Sequence, residues 1–133
     1  MVFDKSLADA AYAMRRLMKE EDGAGLAAPQ VGIPQSFFVV ADYLMSHKVI
    51  VNPSWSPSNG TETYMAEEGC LSFPGLFLKI KRFKQIDIYY QDVGGKIYKG
   101  KLDGFAAHVF QHESDHLVGT LMIDHLNKGN GVI

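Results

Sequence analysis

Cysteine is almost missing from this chain: Cys70 stands alone, so no intramolecular disulfide can form. A reducing compartment is therefore the expected setting, the cytoplasm or its equivalent in a host cell or organelle. No apolar run approaches the ~20 residues of a membrane span, and Met1-Val2-Phe3-Asp4-Lys5 lacks the charged and apolar regions of a signal peptide. Neither charge sign dominates: 13 Lys and Arg against 15 Asp and Glu leave a formal net charge of −2, which gives no basic footprint for nucleic acid. There is no internal repeat, no low-complexity tract, and neither a G-x-G-x-x-G nor a G-K-[ST] phosphate cradle. What remains, 133 residues with 47% hydrophobic and 21% charged side chains, fits one soluble globular domain spanning 1–133, large enough for a real core.

The segment that is hard to explain without chemistry is Gln111-His112-Glu113-Ser114-Asp115-His116-Leu117-Val118-Gly119, an H-E-x-x-H element in a helix-like context. Four residues apart on a helix, His112 and His116 share a face and can hold one metal ion. Glu113 lies about 100° further round, where its carboxylate can reach a water at that ion without ligating it. The bland alternative is a packing helix, because Phe105, His108, Val109, His112 and His116 also follow core-like spacing. Against it, the stripe Ala106, Phe110, Glu113, Leu117 is apolar except for the glutamate, and an unpaired carboxylate there would be costly or protonated.

Along the chain, Asp4 or Ser6 is placed to cap a first helix with the apolar stripe Leu7, Ala10, Ala11, Met14, Leu17 and Met18. Gly23-Ala24-Gly25-Leu26-Ala27-Ala28-Pro29-Gln30 suggests a tight path that something approaches closely, or a bare connector. Phe37–Ala41 and Val49–Val51 are strand-like, the second ended by Asn52-Pro53, and Ser54–Gly60 is expected to be a surface loop. Leu76, Leu78 and Ile80 alternate, as do Ile86, Ile88 and Tyr90, and Gly94-Gly95 is expected to form a two-residue hairpin turn with positive φ values. Asp103 can cap the motif helix and Gly119 can end it. These elements predict an α+β domain, mostly antiparallel β-sheet packed around a C-terminal motif-bearing helix, with an N-terminal amphipathic helix.

Two histidines do not complete a site. The metzincin position for a third histidine is Met122 here, although Gly119 matches that family's glycine. Asp124 or His125 is an alternative with little chain to fold back. Cys70 is the better candidate: a thiolate with two imidazoles leaves the fourth tetrahedral position open, as catalytic metals require, although an inert buried thiol is the other reading.

Gly23–Gln30, Glu68-Gly69-Cys70-Leu71-Ser72 and Gln111–Gly119 together resemble the three signature motifs of peptide deformylases, in that family's order, with the likeness running from the first helix to about Asp124. The resemblance implies that Cys70, His112 and His116 bind one divalent metal, natively often Fe2+ and replaceable by Ni2+, Co2+ or Zn2+. It implies that Glu113 carries the proton from the attacking water to the leaving amine. The Leu71 main-chain N–H and the Gln30 side-chain amide would stabilise the oxyanion. The reaction implied is hydrolysis of the N-formyl group from the first methionine of nascent polypeptides, releasing formate, with N-formylmethionyl peptides as partners, a transient visit to the ribosome, and no direct binding to nucleic acid or membrane. Backbone groups around Gly25 and Gly69 would pair with the extended peptide. Asp115 is expected to meet Arg82, at whose place the family has an arginine; an ordinary solvated pair worth under ~1 kcal/mol is the alternative.

The chain also departs from the pattern. Ala24 stands where relatives usually have Ile or Val, and His108 stands where an apolar residue lines the methionine pocket, so a wider pocket or altered first-residue preference is expected, or simple packing at the pocket edge. Phe77 replaces an arginine that helps hold the peptide in many relatives. Both ends are short for the family, which makes docking by the usual C-terminal tail unexpected. Outside this reading, the residues leave a non-enzymatic metal-binding or thiol-redox module, or a metallopeptidase using Asp124.

Overall fold

The computed structural model describes residues 3–70 and 73–118, with side chains for 3–68 and 77–118. The run Phe37-Phe38-Val39-Val40 is strand β2 (Phe37–Val40), and all four residues are buried because the sheet is covered on both faces there. Phe37 and Val39 pack into one core with Leu7, Ala11, Met14 and Met18 of α1 (Lys5–Glu20). Phe38 and Val40 pack into the other with Ala107, Val109 and Phe110 of α2 (Gly104–Leu117). There the rings of Phe38 and Phe110 meet edge to face, with centroids 5.2 Å apart and planes at 86°.

Around β2 runs a five-stranded antiparallel sheet in the order β1 (Gly25–Ala27), β2, β3 (Val49–Pro57), β6 (Gln85–Gln91), β7 (Ile97–Asp103). A second, two-stranded sheet pairs β4 (Thr63–Cys70) with β5 (Phe73–Phe83). The expected α+β architecture, mostly antiparallel with α2 set into the core, is the one observed. Ile86, Ile88 and Tyr90 belong to the core beneath α2, and Leu78 and Ile80 are buried on β5.

Several local expectations are corrected. β3 does not stop at Asn52-Pro53 but continues to Pro57, so the expected Ser54–Gly60 loop is mostly strand. The register with β6 slips by one residue between Val51 and Ser54, and Asn52 has φ +48°. A bulge of this kind accommodates Pro53, which has no N–H for the ladder. The β6–β7 turn is not a two-residue turn: Asp92 N–H donates to Lys96 O, so Val93, Gly94 and Gly95 lie between. Only Gly95 has positive φ, and the Asp92 carboxylate accepts from the N–H groups of Gly94 and Lys96 instead. At α1 the cap is Asp4, whose Oδ1 accepts from Leu7 N–H, and not Ser6. Asp103 occupies the N-cap position of α2 without making a side-chain capping bond. Phe105 is 55% exposed, so it is not a core residue, and Gly119, Met122, Asp124 and His125 lie outside the described residues.

Candidate active site

Helix α2 brings His112 and His116 together one turn apart, with their Nε2 atoms 3.3 Å from each other and their rings at 74°. Bonds of about 2.0–2.1 Å to one tetrahedral ion would set two such nitrogens about 3.3–3.4 Å apart, so the spacing fits a shared metal. His112 Nδ1 lies 2.6 Å from Glu68 Oε1, and an ionised carboxylate can only accept, so Nδ1 carries a hydrogen and Nε2 is the nitrogen left to face a metal. Burial, helped by the neighbouring His112, pushes His116 down to about 4, which keeps it a neutral ligand. Burial also works against the charged form of His112, but the Glu68 bond and the charges of Glu113 and Glu68 outweigh it and raise its pKa.

Glu68 is the hub behind these histidines. Arg82 grips it from both sides, Nε donating to Oε2 and Nη2 to Oε1, each at 2.8 Å, while Arg82 Nη1 donates to Asp115 Oδ2 at 2.8 Å. Arg82 is 2% exposed, so its pair with Asp115 belongs to a buried network and is not a solvated surface pair. Burial opposes ionisation of Glu68, yet the Arg82 and His112 hydrogen bonds prevail and hold its carboxyl well below the usual range. On the other side, His108 Nε2 lies 3.3 Å from Glu68 Oε2, and the Tyr64 hydroxyl lies 2.8 Å from His108 Nδ1. Burial pulls the His108 pKa below its ordinary value.

Glu113 faces the opposite requirement. It is 4% exposed, its Oε1 has no partner among the described residues, and burial lifts its pKa to about 7. An orphaned carboxylate oxygen beside two convergent imidazoles is what an absent water or ion would leave. Gly25 gives Glu113 its space, since a Cβ there would lie 2.8 Å from Oε2. Ala24, Gly25, His108, Val109, His112 and Glu113 all line one pocket of about 260 Å³.

The other expected residues are placed less directly. Gln30 sits in the 3-10 turn Ala28–Val31, which packs on α2, and its Oε1 accepts from Ala27 N–H at 2.9 Å, leaving the amide nitrogen as the donor end. Gly69 lies on β4 in register with Phe77, which is 51% exposed. Cys70 ends β4, but its side chain lies outside the described residues, as does Leu71. Among the described residues no three His, Cys, Asp or Glu side chains converge as a metal cluster. Glu68 and Tyr64 went unassigned in the sequence, although a ligating histidine usually donates its other ring N–H to a carboxylate, a backbone carbonyl or water. Gln111 also went unassigned. It is 1% exposed and clamps Phe83, accepting from its N–H at 2.9 Å and donating to its O at 2.8 Å, which ties α2 to β5.

The family model described as polypeptide deformylase matches residues 1–131. The peptide deformylase of Thermotoga neapolitana is 46% identical over 131 residues, covering 98% of this chain and 79% of that protein. The crystal structure of peptide deformylase from Thermotoga maritima superposes with a TM-score of 0.83 at 45% identity, over 94% of this chain and 84% of that one. Plasmodium falciparum peptide deformylase in complex with an inhibitor gives a TM-score of 0.82 at 36% identity, over 97% and 81%.

Proposed function

Because the chain belongs to the polypeptide deformylase family, we propose that His112, His116 and Cys70 hold one divalent ion beside Glu113, and that this group of residues carries the family's reaction. The protein is a metal-dependent enzyme that removes the N-formyl group from the first methionine of nascent polypeptides. The observation that carries the assignment of residues is the pair of facing Nε2 atoms, 3.3 Å apart, next to the partnerless Glu113 oxygen.

When bound, the ion supplies Lewis acidity, lowering the pKa of water and polarising a carbonyl oxygen. Glu113 supplies the proton transfer. Its Oε1 takes a proton from the attacking water as the new C–O bond forms at the formyl carbon. The same carboxyl then delivers that proton to the amine nitrogen as the C–N bond breaks, leaving formate and a free amino terminus. A carboxyl lifted to about 7 is suited to both halves of that task. The Gln30 amide nitrogen and the Leu71 main-chain N–H are the proposed oxyanion donors; the Ala27 bond that fixes Gln30 Oε1 supports the first of these. Gly25 lies on β1, an edge strand of the five-stranded sheet, so an extended peptide running past Gly25 and Gly69 can add as a further strand. Ala24 and His108 then line its first-residue pocket.

Fe2+ is the proposed native ion, with Zn2+, Ni2+ or Co2+ able to replace it at an imidazole and thiolate set. A cytoplasmic setting, transient ribosome contact and one catalytic domain over 1–133 belong to the same proposal; the family match over 1–131 supports the last. The test is elemental analysis of anaerobically purified protein together with formate release from formyl-Met peptides. Glu113→Gln is expected to keep the metal and lose roughly 10²- to 10⁴-fold in kcat, whereas Cys70→Ser and His112→Ala lose the metal. Metal retained by Cys70→Ser, or full activity in Glu113→Gln, overturns the assignment.

A further inference from the structure

We propose that Tyr64 and His108 form a positioning pair that acts through Glu68 to hold the orientation of His112, and so tightens the grip of the site on its divalent ion. The inference rests on the reading of His112 and His116 as ligands and goes one step behind it.

Its basis is a ladder between two elements. Tyr64 and Glu68 are four residues apart on β4, which puts them on one face of the strand. His108 and His112 are four apart on α2, which puts them on one face of the helix. The two faces meet in matching order, with the Tyr64 hydroxyl 2.8 Å from His108 Nδ1 and Glu68 Oε1 2.6 Å from His112 Nδ1. His108 Nε2, 3.3 Å from Glu68 Oε2, forms the diagonal. That diagonal is a close polar contact and not a formed hydrogen bond; the charge of Glu68 still favours the hydrogen on Nε2, so that Nδ1 of the neutral ring accepts from the tyrosine hydroxyl.

The consequence for Glu68 is confinement. An ionised carboxylate has about four lone-pair sites. Oε1 accepts from Arg82 Nη2 and His112 Nδ1 and Oε2 from Arg82 Nε, while His108 Nε2 covers the remaining side of Oε2 at 3.3 Å without a hydrogen bond. The carboxylate plane is thus held on both sides. The contact from His108 is the longest of the four, so its main effect is on orientation and it drains little charge from the bond to His112. His108 also turns ring surface to its surroundings, with the Phe105 ring stacked at 6.0 Å and the Tyr64 ring at 6.1 Å.

The experiment measures Zn2+ affinity by chelator competition, and the visible spectrum of the Co2+-substituted protein, for full-length wild type, Tyr64→Phe, His108→Leu and the double variant. Each single change is expected to weaken Zn2+ binding about 3- to 10-fold, at or below the lower edge of what outer partners of metal ligands contribute, and to shift the Co2+ bands. Tyr64→Phe should add nothing in the His108→Leu background, because its hydroxyl acts only through that ring. Unchanged affinity and spectra in Tyr64→Phe, or losses that simply add in the double variant, overturn the proposal. So does a change confined to KM among formyl peptides of different first residue, which would make His108 a pocket wall only. Tyr64→Phe removes one oxygen and little volume, so the affinity test holds even if His108→Leu fails to fold. His112→Ala separates the two levels: if it binds Zn2+ as wild type does, the ligand assignment itself fails, whatever Tyr64 does.

Discussion

Gly25 and Glu113 meet so closely that no side chain fits between them: a Cβ on Gly25 would lie 2.8 Å from Glu113 Oε2, 2.9 Å from its Cγ and 3.0 Å from Val109 Cγ1. The glycine in β1 therefore sets where the carboxylate of α2 can stand. Its φ is not in the left-handed region, so space and not backbone freedom is the requirement.

Gly25→Ala is accordingly expected to push Glu113 aside. Displacements near 1 Å at a reacting group cost about 10²-fold in rate, and overpacking costs about 1–3 kcal/mol of stability. Steady-state formate release alongside urea unfolding checks both. Wild-type kcat in the folded variant would mean that Glu113 has room to spare.

Glu113 should also burden the metal-free protein in a pH-dependent way. Its pKa rises from 4.5 to about 7 on folding. Below 4.5 the group is protonated in both states and costs nothing; between 4.5 and 7 only the unfolded chain ionises, so stability falls; above 7 the full cost stands. At roughly 1.4 kcal/mol per pH unit the ceiling is about 3 kcal/mol. With chelator present, Glu113→Gln is expected to gain about 1–3 kcal/mol on wild type between pH 5 and pH 8. An advantage that fails to widen over that interval refutes the account.

Glu68 carries the reverse sign. Its folded pKa is depressed, so its contribution is fully present above the ordinary value of 4.5 and is lost as pH falls below it toward the folded value. Glu68→Gln is expected to destabilise by about 3–5 kcal/mol near neutrality, since the buried Arg82 loses its bidentate partner. Urea midpoints followed from pH 6 to pH 3 should then decline less steeply than in wild type. An equally steep acid limb would show that the carboxylate is not the titrating group.

Gln111→Leu removes the clamp on Phe83 and leaves that residue's N–H and C=O without their partners. At about 1–3 kcal/mol for each unsatisfied buried group, a loss of about 2–4 kcal/mol is expected. Hydrogen exchange at the Phe83 amide should accelerate in step. Unchanged protection there would mean the strand is held by other contacts.

Part of this was legible in the residues. The α1 stripe held at Leu7, Ala11, Met14 and Met18, while Leu17 is 39% exposed at the margin of the same face. The β6 alternation held because one of its faces is buried against α2. The continuation of β3 past Pro53 was hidden, because Asn and Pro ordinarily stop a strand and only the partner β6 allows a bulge to absorb them. The exposure of Phe105, whose spacing is core-like, was hidden for a similar reason, since helical spacing names a face but not what covers it.

By itself the sequence determined the relation among His112, Glu113 and His116, because the 3.6-residue period of a helix sets those directions wherever the helix is docked. Only the tertiary structure decided which groups stand behind and beside them. Glu68 meets His112 across 44 residues of chain, and Gly25 makes space for Glu113 from the far end of the fold. Such contacts depend on strand register and on how α2 seats against both sheets, and no local pattern encodes either.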